Sequence, residues 1–131
     1  MGETNYTGFA PLLYIKNGIT NIDFYTNAFD AVEIRRWSND NGSLHVAELA
    51  INNLLFHVHE ESARSRLLSP ESCQGSTVVI GLFVPDVDIY MAKAEAAGAT
   101  VIMPATDYDY GYRQGEVKDP FGHIWMIQKK I

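Results

Sequence analysis

The stretch VKDPFGHIWMI, residues 117–127, combines a tight turn with a strand that is apolar on both faces. Its Asp-Pro-Phe-Gly segment, residues 119–122, has the composition of a turn. Because side chains alternate along a strand, Trp125 and Ile127 point to one face and Met126 to the other. A half-exposed strand would have one polar face, so we expect both faces of this strand to be covered by other parts of the protein.

The chain repeats itself at a constant offset of 69 residues. Tyr14 matches Phe83 near the start of the two copies, and Phe56 matches Trp125 near their end. A single match between apolar residues carries little weight. A register that holds at both ends, however, indicates two copies of one supersecondary unit.

Each copy is predicted to contain a strand, a helix and three further strands. In the first copy Asn17 is expected to cap a helix from about Ile19 to Phe29, where apolar residues recur at helical spacing. In the second copy Gly98 is expected to end the helix VDIYMAKAEAAG. The predicted strands are PLLYIK (11–16), AVEIRRW (31–37), SLHVAELAI (43–51) and LLFHVH (54–59), then VVIGLFV (78–84), ATVIMPA (99–105), RQGEVKD (113–119) and HIWMIQ (123–128).

These elements predict an α+β protein of one domain, residues 1–131, built from two tandem βαβββ modules. The modules span residues 9–60 and 77–130. The polar segment 61–76 links them, with one helical turn expected around 63–68. Each sheet has a helix for only one of its faces. We therefore expect the other faces to form a cupped mixed sheet that is shielded from bulk water.

The composition restricts the classes of function. The formal net charge is −6 without a basic cluster, which argues against nucleic acid and against an anionic membrane surface as partners. The sequence contains no apolar run of membrane-spanning length and no signal-peptide pattern. The single cysteine, Cys73, cannot form a disulfide within the chain. We therefore expect a cytoplasmic protein.

Three phrases of the sequence resemble one known superfamily. They are NIDFYTNAFDAVEI (21–34), VPDVDIYMAKAEAAGATV (84–101) and KDPFGHIW (118–125). They are similar to the glyoxalase / bleomycin-resistance / extradiol-dioxygenase superfamily, also called the vicinal oxygen chelate superfamily, over residues 9–129. The resemblance implies that two βαβββ modules form a cup for a small ligand, often on a divalent metal. It also implies a homodimer, since the small members usually are.

The resemblance implies where a metal would bind. Metal-dependent members have ligands on the first and fourth strands of each module, and those positions here are Ala10, His57, Val79 and Met126. Only His57 can bind a hard divalent ion, because Met126 is a soft thioether and the other two positions have no donor. A catalytic zinc site needs about three protein ligands. No cofactor is therefore favoured, and a divalent metal is the alternative.

His57 and His59 lie two residues apart on one strand and are expected to face the cup together. We interpret them as polar ligand contacts. His57 is also the first candidate for catalytic acid–base chemistry, since its unperturbed pKa lies near neutrality. Glu48 in the third strand is a second, weaker candidate. The alternative interpretation is a relocated metal site made by His57 and His59 with Glu60 or Glu61.

Aromatic side chains are expected to supply much of the remaining pocket. Tyr14 and Phe83 occupy matching cup-facing positions, and Trp37 ends the second strand. The tyrosines of the loop 107–112, with Arg113, are expected either to close over a planar ligand or to make dimer contacts. The candidate ligand-binding residues are Tyr14, Phe83, Trp37, Leu55, His57, His59, Tyr110, Arg113, Met126 and Gln128.

These features favour a protein that binds a small, planar or aromatic molecule in a cup without an essential metal. This is the behaviour of the bleomycin-resistance type in the family that the chain resembles. The alternative is a metal-dependent glyoxalase-like lyase, isomerase or dioxygenase that uses His57 and His59. The fold hosts many chemistries, so the sequence does not decide between these functions or name the ligand.

Overall fold

The protein consists of two four-stranded mixed sheets and three helices within residues 6–131, the part of the chain that this computed structural model describes. Its elements are β1 (Leu12–Ile15), α1 (Phe24–Phe29), β2 (Val32–Ser38), β3 (Leu44–Ile51), β4 (Leu54–Glu60), α2 (Pro70–Cys73), β5 (Val79–Phe83), α3 (Val87–Ala96), β6 (Thr100–Tyr108), β7 (Tyr112–Lys118) and β8 (Ile124–Lys130). None of these three helices has the length and apolar character that crossing a bilayer requires.

The two sheets have the same strand order. Sheet 1 runs β1-β4-β3-β2 and sheet 2 runs β5-β8-β7-β6. The first strand of each module is parallel to the last, with Leu13 opposite Val58 in sheet 1 and Leu82 opposite Ile127 in sheet 2. The other strand pairs are antiparallel. The predicted α+β fold of two tandem βαβββ modules is therefore confirmed.

The core of the protein joins the two modules. The indole ring of Trp125 on β8 lies 4.7 Å from the ring of Phe29 on α1 and 5.9 Å from the ring of Phe56 on β4, between centroids. Trp125 is only 2% exposed, and Ile127 is fully buried. One face of the last strand is thus covered because its aromatic side chain inserts among residues of the other module.

The turn before β8 holds a buried carboxylate that connects the modules. Asp119 Oδ2 accepts a hydrogen bond from the Tyr25 hydroxyl at 2.6 Å and one from the Trp125 indole N–H at 3.0 Å. Its Oδ1 accepts from the backbone N–H groups of Phe121 and His123, at 2.9 and 3.0 Å. These four donors compensate for the removal of the carboxylate from water.

The first helix is shorter than its apolar spacing predicts. α1 spans only Phe24–Phe29, because Gly18 adopts a left-handed conformation with φ of 88° and the Ile19 carbonyl accepts from Leu44 N–H of β3 at 2.8 Å. The prediction that Asn17 caps this helix is wrong. Its side-chain amide donates instead to Glu60 Oε1 at 3.0 Å. The segment before α1 is therefore held against β3 and β4 rather than wound into a helix.

The linker also differs from the prediction. Its helix, α2, lies at Pro70–Cys73 instead of around 63–68. Ser69 caps it through its side chain, and Pro70 occupies a first-turn position at which proline is favoured. α2 packs against the last turn, where Gly122 has φ of 99° and a Cβ would lie 3.0 Å from Pro70 Cβ. Glycine is required there for both reasons.

We expect Tyr25→Phe to destabilise the protein by about 1.5–3 kcal/mol, because it removes one of the donors to a buried carboxylate. Urea unfolding at neutral pH would measure the loss. Tyr90→Phe is the matched control, since Tyr90 lies on α3, is half-buried and makes no side-chain hydrogen bond within residues 6–131. A Tyr25→Phe protein as stable as the control would contradict the role given to the carboxylate.

We also expect the ionisation of Tyr25 to contribute to the pH dependence of the free energy of unfolding. Burial, and then the neighbouring Asp119 charge and hydrogen bond, raise the pKa of Tyr25 well above its ordinary value. The stability that this neutral phenol contributes is complete below about pH 10, where the unfolded phenol is also neutral. This contribution decreases as the pH rises above about 10 towards the pKa of Tyr25 in the folded protein, by up to about 1.4 kcal/mol per pH unit. Urea unfolding between pH 9 and 11 should show a steeper loss in wild type than in Tyr25→Phe, and parallel curves would contradict this.

Candidate functional site

Each sheet has one face against the core and one face directed away from it. On β4, for example, Phe56 and Val58 are buried, so residues 55, 57 and 59 point to the opposite side. We name the outward faces cup face 1 and cup face 2. Cup face 1 comprises Leu12, Tyr14, Arg35, Trp37, Val46, Glu48, Leu55, His57 and His59; cup face 2 comprises Val79, Phe83, Met103, Tyr112, Gln114, Glu116, Ile124, Met126 and Gln128.

The centre of cup face 1 is a row of polar side chains across three strands. Arg35 Nε on β2 donates to Glu48 Oε1 on β3 at 2.6 Å. His57 Nε2 on β4 lies 3.8 Å from the other carboxylate oxygen of Glu48, too far for a hydrogen bond. This nitrogen is buried and has no hydrogen-bond partner within residues 6–131. The two predicted candidates for acid–base chemistry, Glu48 and His57, are therefore neighbours.

His59 lies beside this row and, unlike His57, has a hydrogen-bond partner for one ring nitrogen within residues 6–131. Its ring is 5.1 Å from that of Tyr14, and its Nδ1 is 2.6 Å from the backbone oxygen of Glu60. The Glu60 carboxylate lies 2.7 Å from His45 Nδ1, and this contact is the main reason that the pKa of Glu60 is lowered. His45 had no role in the predictions from sequence. The register of β3 and β4 is the signal that could have placed His45 near Glu60. It pairs Val46 with His59, so the preceding residue on β3 lies opposite the following residue on β4.

The carboxylates proposed as third metal ligands are held by other side chains. Residues 6–131 contain no cluster of three His, Cys, Asp or Glu side chains that could hold a metal ion. Of the two carboxylates proposed beside His57 and His59, Glu60 is bound to His45 and Asn17. Glu61 accepts from the Ser69 backbone N–H and from the Ser72 hydroxyl. Both proposed third ligands are therefore engaged by other groups of the protein.

Cup face 2 is dominated by aromatic rings and amides. Tyr108 and Tyr110 are stacked, with centroids 5.3 Å apart and planes 9° apart. Tyr110 lies 5.8 Å from Tyr112, which lies 5.9 Å from Phe83. The predicted tyrosine-rich loop 107–112 is instead the end of a hairpin, because β6 continues to Tyr108 and β7 begins at Tyr112.

Arg113 does not reach this face. Its guanidinium binds Asp88 on α3 at 2.8 Å and Asp107 on β6 at 2.9 Å. These ion pairs lie on the helix side of sheet 2, since Arg113 follows the cup-facing Tyr112 by one residue. The expectation that Arg113 contacts a ligand with the tyrosines is therefore wrong in its placement.

Three further candidate contacts, Met126, Gln128 and Trp37, lie on the cup faces. Met126 and Gln128 are half-buried on cup face 2, where Gln128 accepts from Gln114 Nε2 at 2.7 Å. Trp37 is 44% exposed on the outer strand of sheet 1, with the Arg35 guanidinium 4.8 Å above its ring. The two faces thus offer aromatic surface at their margins and polar groups near their centres.

A cavity of about 1060 Å³ runs between β1 and β5. Leu12, Tyr14 and Leu55 bring cup face 1 to its wall. Val79 and Gly81 bring β5 to the opposite wall. Most of the lining side chains are apolar, and the volume is at the upper end of the range for small-molecule sites.

Comparisons with known proteins agree with this architecture. An uncharacterised protein of Mycobacterium bovis is 37% identical over 125 residues, which cover 93% of this chain and 82% of that protein. A gene product of Arabidopsis thaliana superposes with a TM-score of 0.73 at 28% identity, over 93% of this chain and 98% of the other. TioX from Micromonospora sp. ML1 superposes with a TM-score of 0.69 at 22% identity, over 95% and 97%.

The family model of the Glyoxalase/Bleomycin resistance protein/Dioxygenase superfamily matches residues 10–127. The chain belongs to this superfamily.

Proposed function

We propose that this protein binds a small, planar or aromatic molecule in a cup made by cup faces 1 and 2, without an essential metal. One observation carries the proposal. A cavity with apolar walls adjoins a face on which a few polar groups, Glu48, His57 and His59, stand among aromatic side chains. Small-molecule sites combine apolar walls with a few placed polar groups in this way.

The metal-dependent alternative has weaker support. Of the four positions at which the resemblance places metal ligands, only His57 is a donor for a hard cation, and Met126 faces the cup as a thioether. His59 is directed towards the Glu60 backbone oxygen. A binding protein of the bleomycin-resistance type accounts for these side chains more simply than a lyase, isomerase or dioxygenase does.

We propose further that the cup is completed by a second copy of the chain. The side-chain hydrogen bonds and ring contacts of each cup face remain within its own module in residues 6–131. Phe83 and Val79 are 54% and 51% exposed, and Leu12 is 49% exposed. β1 and β5 each have only one partner strand in the described sheets, and such edges invite pairing. A homodimer that places cup face 1 of one protomer opposite cup face 2 of its partner would cover all of these groups.

We expect Tyr14→Ala and Phe83→Ala each to weaken ligand binding by about 5- to 150-fold, because stacking on one aromatic ring is worth about 1–3 kcal/mol. A thermal-shift screen of planar aromatic compounds would supply the ligand, and calorimetry would supply the affinities. Ile89→Ala is the control, since Ile89 is an exposed apolar residue on α3. Unchanged affinity in both cup variants would contradict the proposed site. A full equivalent of bound metal that is lost in His57→Ala would favour the enzyme instead.

We expect sedimentation at micromolar concentration to give a dimer with cups shared between protomers. Mixing Tyr14→Ala and Phe83→Ala chains tests the sharing, because each mixed dimer would then have one cup with both substitutions and one with neither. Half of the cups in purified mixed dimers should bind with wild-type affinity. Cups formed within one chain would all carry one substitution, and no mixed dimer would recover wild-type affinity. That result, or a monomer, would contradict the shared cup.

A further inference from the structure

Cup face 1 supplies its own counter-ion for a carboxylate at its centre. Glu48 on β3 lies directly between Arg35 on β2 and His57 on β4 in the cross-strand register. The Arg35 guanidinium binds the carboxylate at 2.6 Å, so that the charge of Glu48 is compensated within the module. A ligand that meets this face finds a paired carboxylate.

The equivalent carboxylate on cup face 2 has no such partner. Glu116 on β7 lies directly between Met103 on β6 and Met126 on β8. Its carboxylate makes no ion pair or side-chain hydrogen bond with any of residues 6–131. The sheet registers thus place a glutamate beside the equivalent positions His57 and Met126, because 57 and 126 differ by the repeat offset. Glu48 is flanked by an arginine and a histidine, whereas Glu116 is flanked by two thioethers.

Glu116 and its two methionines line a pocket of about 170 Å³. An apolar cavity of about 150 Å³ is large enough to bind benzene, so the volume of this pocket is comparable with that of one aromatic ring. Met103 and Met126 provide soft sulfur contacts, which are favourable against the edge of such a ring.

Two other polar side chains of the pocket wall, Gln114 and Tyr110, are already engaged. The Gln114 amide accepts from the Tyr110 hydroxyl and donates to Gln128 Oε1 at 2.7 Å. The stacked Tyr108 and Tyr110 form an aromatic wall beside it. Glu116 is the one acidic residue of the pocket wall, and it has no counter-ion within residues 6–131.

We propose that this pocket binds an aromatic ring carrying a cationic nitrogen, with Glu116 as its counter-ion. The inference rests on the proposed function, because the pocket is part of cup face 2. A carboxylate flanked by two thioethers is less well solvated than one in open water, and a ligand ammonium or amidinium group would supply charge-assisted hydrogen bonds. Lys130 lies outside the wall of this pocket, with its ammonium 5.9 Å from the centroid of the Phe83 ring. The net charge of −6 also favours cationic over anionic ligands.

The test uses three probes of similar shape, benzylamine, benzyl alcohol and benzoate, with full-length protein carrying ¹³C-labelled methionine methyl groups. The chain has four methionines, so the signals are few. Benzylamine should shift the Met103 and Met126 methyl signals more than that of Met91, which packs behind Gly115 on the core side of sheet 2. It should bind at least about tenfold more tightly than benzyl alcohol, and benzoate should bind most weakly. Raising the salt concentration should reduce the preference for the amine.

Glu116→Gln keeps the shape of the side chain and removes its charge. This variant should bind benzylamine and benzyl alcohol equally, whereas Glu95→Gln on the exposed surface of α3 should keep the wild-type preference. Equal binding of the amine and the alcohol by wild type, or an unchanged preference in Glu116→Gln, overturns the inference. So does the absence of methyl shifts with all three probes. The proposed function is judged separately, by the Tyr14→Ala and Phe83→Ala affinities for a screened ligand, so the two failures are distinguishable.

Discussion

The hydrogen bonds to the Asp119 carboxylate are the constraint on which the arrangement of the modules depends. A buried carboxylate is tolerated only if donors surround it, and here the donors come from α1, from β8 and from the turn itself. All of them can be satisfied only when the first helix of one module lies against the last strand of the other. The same turn directs the side chain of His123 to the Tyr14 carbonyl on β1, at 2.8 Å. The position of β1 relative to sheet 2, and with it the cavity, follows from this turn.

The two modules share one strand order but differ in the chemistry of their outward faces. Cup face 1 is polar at its centre and carries its own ion pair, whereas cup face 2 is built from tyrosines, amides and methionines. A repeated backbone needs only the buried half of each strand to be preserved for folding. The outward half is free to diverge, which is why function in such a fold depends on the side chains of the site rather than on the architecture.

Much of the site could be predicted because strand parity is a local property. Once Phe56 and Val58 are assigned to the core, His57 must face the other way. The failures have longer-range causes. The first helix begins late because the Ile19 carbonyl accepts a hydrogen bond from Leu44 of β3. Arg113 lies on the helix side of sheet 2 because it belongs to strand β7, which begins at Tyr112, and not to a loop. The tyrosine segment is a hairpin because β6 and β7 pair up to Tyr108 and Tyr112. None of these partners is apparent from the residues around the affected segment.

The sequence by itself determined the duplication, the order of elements and the face on which each strand residue lies. These follow from a constant repeat offset and from the two-residue period of strands, both of which can be read along the chain. Only the tertiary structure decided that Asp119 joins the modules, that Glu48 is paired by Arg35, and that Glu116 lies between two methionines. These are cross-strand and cross-module relations, and they depend on register and packing. Glu48 and Glu116 both lie on the third strand of a module, and only their neighbours in space distinguish their electrostatic environments.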